Sequence, residues 1–175
     1  MTVKVFLGGE GAHELGDRIN HPSFSTTKPG TLEALLERVR TARPNPANDP
    51  PRWEVIGARQ WKSIRKLRAK GPSPAEAQNV AGLLLEARER DADVLAFVRD
   101  SDGDSQREKD IHAAIAKERA GSVGIIGGVA VPVLEAWILA AQGKAKTGDF
   151  TKHNAQSQLG RTSTDEIVRI IEVPC

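Results

Sequence analysis

The sequence predicts an α/β fold, three layers deep and Rossmann-like, with a mostly parallel central sheet and helices on both faces. Two short apolar runs, Val3-Lys4-Val5-Phe6-Leu7 and Val94-Leu95-Ala96-Phe97-Val98, have the length and residue types of strands buried in a sheet. Around them lie stretches with apolar residues at helical spacing, and strands alternating with helices build parallel sheets through right-handed crossovers. The second run leads into Asp100-Ser101-Asp102-Gly103-Asp104. These carboxylates alternate just past the C-terminal end of a strand, the edge at which open α/β sheets hold their ligands.

A chain of 175 residues, 39% hydrophobic and 27% charged, fits one domain, here 1–175, with a sizeable core. With four Phe, three Trp and no Tyr, that core must be mostly aliphatic. The single cysteine, Cys175, excludes an internal disulfide framework and a cysteine-based zinc site, and suits a reducing cytoplasm. No secretory signal precedes the first strand, and no apolar run approaches the roughly 20 residues of a membrane helix. Residues 31–72 hold ten Lys/Arg against four Asp/Glu, whereas residues 73–110 hold five against ten. That reversal suggests one surface for an anion and another for a cation.

The elements follow in order. After the first strand, Gly8-Gly9-Glu10-Gly11-Ala12-His13-Glu14 allows a sharp turn and close approach to a ligand. If a helix begins there, Glu14 shares a face with Glu10; the bland alternative is a solvated turn. The Gly-Lys-Ser/Thr ending of a phosphate-binding loop is missing. Thr31 is placed to N-cap a helix through about Thr41, with Leu32, Leu35, Leu36 and Val39 forming an apolar stripe. Residues 43–51 hold four prolines in nine positions and read as an irregular loop. Trp53 to Gly57 reads as a short strand. Gln60 to Lys70 reads as a basic helix whose Lys62, Arg65, Lys66 and Arg68 would track a phosphate backbone or simply face solvent. Pro74 opens a helix to about Arg90. After the acidic loop come a helix over about 105–119, a strand over Val123 to Val131, and a helix from Pro132 carrying Leu134, Trp137, Ile138 and Leu139. Glu135 lies within that apolar helix and needs a partner. The polar C-terminal extension from about 142 reads as a loop to Gly160 and a short helix from Thr164 to Glu172.

Three neighbouring aspartates repel one another unless something positive is bound. Hard oxygen ligands select Mg²⁺, Mn²⁺ or Ca²⁺. An EF-hand loop is excluded, because Ser105 and Ile111 stand where Gly and Glu are required. A dehalogenase-type phosphatase also carries Asp-x-Asp after a strand, but near the N-terminus. A nucleotide-sugar transferase would use the pair for Mn²⁺ in a longer chain. A solvated polar turn is the remaining reading. His13, His21, His112 and His153 share no zinc-ligand spacing.

Glu10 in Leu7-Gly8-Gly9-Glu10-Gly11, together with Asp100 and Asp102 in Phe97-Val98-Arg99-Asp100-Ser101-Asp102, resembles the Toprim domain of topoisomerases, primases and OLD-type (overcoming lysogenization defect) nucleases. Val131-Pro132-Val133-Leu134-Glu135-Ala136-Trp137-Ile138-Leu139-Ala140 is similar to a segment of small stand-alone Toprim-like proteins. The resemblance covers roughly residues 1–142; the long proline-rich first connection and the extra Asp104 depart from it. It implies a Toprim fold and a Mg²⁺- or Mn²⁺-dependent nuclease or phosphoryl-transfer activity on nucleic acid. Glu10, Asp100 and Asp102 would form the primary metal site, Asp104 an outer ligand, and Glu14 and Glu135 a second site or a base. It also implies an ATPase partner in defence against phage. The lack of tyrosine in this chain argues against strand cleavage by a topoisomerase mechanism. A non-catalytic Toprim-like binding module and the phosphatase remain the alternatives.

Overall fold

The computed structural model describes residues 2–19, 28–42, 52–65, 74–118, 120–141, 146 and 151–159. The proline-rich stretch at 43–51, Lys66, Arg68 and the predicted helix from Thr164 lie outside them. Four strands, β1 (Thr2–Gly9), β2 (Arg52–Gln60), β3 (Val94–Asp100) and β4 (Gly124–Ala130), form one all-parallel sheet in the order β2-β1-β3-β4. Six helices pack around it: α1 (Ala12–Leu15), α2 (Thr31–Ala42), α3 (Ala75–Glu89), α4 (Ser105–Glu118), α5 (Leu134–Ala141) and α6 (Lys152–Leu159). Among the described residues no helix is long and apolar enough to cross a membrane.

The layers follow from the period-two alternation of the strands. Phe6, Leu95 and Phe97 point to one face and pack with Val80, Leu83, Leu84 and Ala87 of α3 and Ile111 and Ala114 of α4. Val5, Leu7 and Ala96 point to the other, against Leu15 of α1 and Leu32 of α2. A third cluster joins Leu134, Ile138 and Leu139 of α5 to Ala155 and Leu159 of α6. The α/β architecture with helices on both faces is therefore as the sequence predicts.

Three local expectations are corrected. The helix over 60–70 does not begin at Gln60: β2 runs on to pair Gln60 with Gly9, and Trp61–Ser63 forms a single 3-10 turn. Ile64 is then extended, at φ −65° and ψ 135°. The chain there presses against α3 at Gly82, where a Cβ would lie 2.5 Å from Ile64 Cγ2 and 2.6 Å from the Arg65 carbonyl oxygen. Sheet pairing and burial of Trp61 and Ile64 outweigh local helix preference. The polar loop expected up to Gly160 contains α6, which buries Ala155 and Leu159, one helical turn apart, against α5. Thr31 is not an N-cap: it is the first residue of α2, and its buried hydroxyl has no hydrogen-bond partner among the described residues.

Candidate metal centre

The strand order fixes where a ligand belongs. From β1 the chain crosses to β2 on one side, then returns to β3 on the other. The C-terminal ends of β1 and β3 thus flank the point where strand order reverses, the crevice that open α/β sheets use for binding. Glu10 follows β1 directly, and Asp100 is the last residue of β3.

Each acid is positioned by identifiable contacts. Glu10 Oε1 accepts the Asp100 N–H at 3.0 Å and a hydrogen bond from Arg99 Nη1, while Gln60 Nε2 holds the Glu10 carbonyl at 2.8 Å. Glu14 is buried in α1, and its Oε2 accepts the Gly11 N–H at 2.7 Å, fixing the turn after β1. The following segment is seated by close contact: a Cβ on Gly30 would lie 2.1 Å from the Glu14 carbonyl oxygen. Asp100 is only 7% exposed, and its Oδ1 accepts the Leu134 N–H at 2.9 Å, tying β3 to the start of α5. Ser101 Oγ adds a bond to the Pro132 carbonyl at 2.9 Å. Glu135 therefore enters from the first turn of α5, and its Oε2 is buried without a hydrogen-bond partner among the described residues.

These four acids lie within reach of one another's charge. Burial pushes the Asp100 carboxyl up to about 7, and the negative charges of Glu10, Glu135 and Glu14 act in the same direction, against the Leu134 hydrogen bond. Burial likewise raises Glu14 above the ordinary glutamate range, despite the hydrogen bonds that it accepts; Glu10 and Glu135 add to the rise. An orphaned buried oxygen and a carboxyl unable to hold its full charge at neutral pH fit a hard divalent cation. Glu10, Asp100, Glu14 and Glu135 are the oxygen donors that would have to draw together around such an ion.

Asp102 and Asp104 are placed differently. Asp102 and Gly103 both have left-handed backbones (φ 52° and 77°) in a tight turn closed by the Asp104 N–H on the Ser101 carbonyl at 2.8 Å. Arg107 Nη1 donates to Asp102 Oδ2 at 2.7 Å. Asp104 Oδ1 accepts the N–H groups of Gln106 and Arg107 at 2.9 and 3.1 Å, which makes it the N-cap of α4. Among the described residues no three His, Cys, Asp or Glu side chains are gathered as a ready-made metal cage.

Lys62 and Arg65 are exposed beyond β2, and Arg65 lies 3.5 Å from Glu89. They sit on a 3-10 turn and an extended segment, so the expected helical row of cations is not formed by these two. Sequence reasoning missed Arg99, Arg107 and Glu76 as parts of the site. An arginine one residue before the end of a buried strand was the available signal for Arg99; nothing marked Glu76. No family model matches the chain, and no curated protein or solved structure matches it either.

Proposed function

We propose that the chain is a Mg²⁺- or Mn²⁺-dependent phosphoryl-transfer protein of the Toprim type that acts on nucleic acid, in its simplest form a nuclease. The observation that carries this reading is that Glu10, Glu14 and Glu135 lie near enough to Asp100, at the strand-order reversal, for their charges to add to the burial that pushes it up to about 7. Glu10 and Asp100 would be the primary ligands, with Glu14 and Glu135 completing the oxygen set. The cation would supply charge neutralisation at a scissile phosphate and acidify a water. Glu14, raised by burial, would accept a proton from that water more readily than an ordinary glutamate. Asp100 keeps Glu135 in place through the Leu134 N–H, and Arg99 keeps Glu10 turned toward Asp100. Asp102 would join only after leaving Arg107. Lys62 and Arg65, with Lys66 and Arg68 next in sequence, supply positive charge for a nucleic-acid backbone, and the resemblance suggests an ATPase partner in phage defence.

A binding module without turnover is the second reading, favoured by the pairing of Asp102 with Arg107. A dehalogenase-type phosphatase is less well supported, because its nucleophile would be the buried Asp100. Incubation with plasmid and single-stranded DNA in Mg²⁺ or Mn²⁺, beside Asp100→Asn, separates these readings. Cleavage by the wild type alone supports the nuclease; cation binding without cleavage supports the module; turnover of small phosphate esters supports the phosphatase.

A further inference from the structure

Glu10 and Asp102 are each held by an arginine, and both arginines meet at one glutamate from a distant part of the chain. Glu76, in the first turn of α3, accepts from Arg107 Nε at 2.9 Å and from Trp61 Nε1 at 3.0 Å, and lies 3.7 Å from Arg99 Nη2. Arg99 Nη1 donates in turn to Glu10, and Arg107 Nη1 to Asp102. A row of alternating charge, Glu10–Arg99–Glu76–Arg107–Asp102, therefore spans the loops after β1 and β3. The Glu76, Arg99 and Arg107 side chains are only 15%, 14% and 16% exposed, so solvent screens the row weakly. The Trp61 ring, 5.6 Å from the Arg99 guanidinium, helps to fix its position.

We propose that Glu76 is a positioning residue for the carboxylate site, setting how strongly Arg99 and Arg107 compete with a cation for Glu10 and Asp102. This rests on the cation-site reading above. A guanidinium shared between two carboxylates is held less firmly by each than one with a single anionic partner. Without the Glu76 charge, both arginines turn their full attraction on Glu10 and Asp102, and a cation must displace them at greater cost. Glu76 acts through the two arginines that it contacts.

The test is Mn²⁺ titration by calorimetry, with thermal melting to confirm folding. Glu76→Gln is expected to weaken Mn²⁺ binding by about tenfold, and Glu76→Asp, which keeps the charge but withdraws it, by about threefold. Glu89→Gln makes the same charge change on the exposed side of α3 and is expected to shift affinity by less than about twofold. Adding Arg107→Gln to Glu76→Gln removes the excess cation and is expected to recover part of the lost affinity. A structural lesion predicts instead that the two substitutions add. Wild-type affinity in Glu76→Gln, or a double variant weaker than the single one, overturns the role. Should Glu76→Gln fail to fold, unchanged affinity in Glu76→Asp overturns it. A wild type that binds no Mn²⁺ overturns the cation-site reading and this role together, whereas binding that Glu76→Gln leaves unaltered overturns the role alone.

Discussion

Two buried glutamates of this molecule are treated in opposite ways. Glu86, on α3, has a side chain 4% exposed and meets Arg59 Nε of β2 at 2.7 Å. Glu14, on α1, is 9% exposed; among the described residues no arginine or lysine pairs with it, and the charges of Glu10 and Glu135 lie close enough to raise it further. A buried carboxylate is tolerable when a cation is folded in beside it, as at Glu86. At the C-terminal ends of β1 and β3 the charge of Glu14, Asp100 and Glu135 has no such partner among the described residues. An uncompensated cost at the place where parallel sheets bind ligands points to function.

The comparison is sharpest at Asp100. Its folded pKa of about 7 lies above its ordinary value of 3.8, so the folded state holds the extra proton between those limits. Stability must then fall as pH rises through that window, by on the order of a few kcal/mol. Asp100→Asn keeps an oxygen for the Leu134 N–H but carries no charge. It is expected to lose Mn²⁺ binding by at least about a hundredfold and yet to melt several degrees above the wild type at pH 8. The melting advantage should shrink toward pH 4. Equal melting temperatures at both pH values would break the contrast with Glu86.

Glu86→Ala should do the reverse. Removing it leaves Arg59 without its buried partner, and because Arg59 is partly exposed the cost is about 2 kcal/mol by urea denaturation. Mn²⁺ affinity should not change, since the pair has no part in the carboxylate group. A smaller effect is expected of Asp104→Ala, which removes the N-cap of α4 and costs about 1 kcal/mol, again with cation affinity intact. A large loss of Mn²⁺ binding in that variant would return Asp104 to the ligand set.

How much of this was legible in the sequence differs between fold and site. The buried runs around Phe6 and Phe97 announce their strands because a doubly covered strand must be apolar throughout. The end of β2 does not, because Arg59 and Gln60 are polar and Trp61 and Ile64 are spaced as helical neighbours. Only the long-range pairing of Gly9 with Gln60 decides the matter. Among its described side chains helix α6 buries just Ala155 and Leu159, too few to stand out in a polar stretch. In the site, Glu10, Asp100 and Glu135 can be picked out because each is an acid beside an apolar or glycine-rich run. The pairing of Asp102 with Arg107 turns on a left-handed Asp-Gly turn, and the role of Glu76 on packing between α3 and the acidic loop. Neither is written in local spacing.

The central claim is that Glu10, Glu14, Asp100 and Glu135 take up a divalent cation in place of the proton that burial leaves on Asp100. Mn²⁺ titration at pH 6.5 in two buffers of different ionisation enthalpy tests it most directly. The account predicts binding by the wild type with release of about half to one proton per ion, and neither binding nor release in Asp100→Asn. Binding without proton release that Asp100→Asn leaves unchanged, or no binding by the wild type, would contradict it.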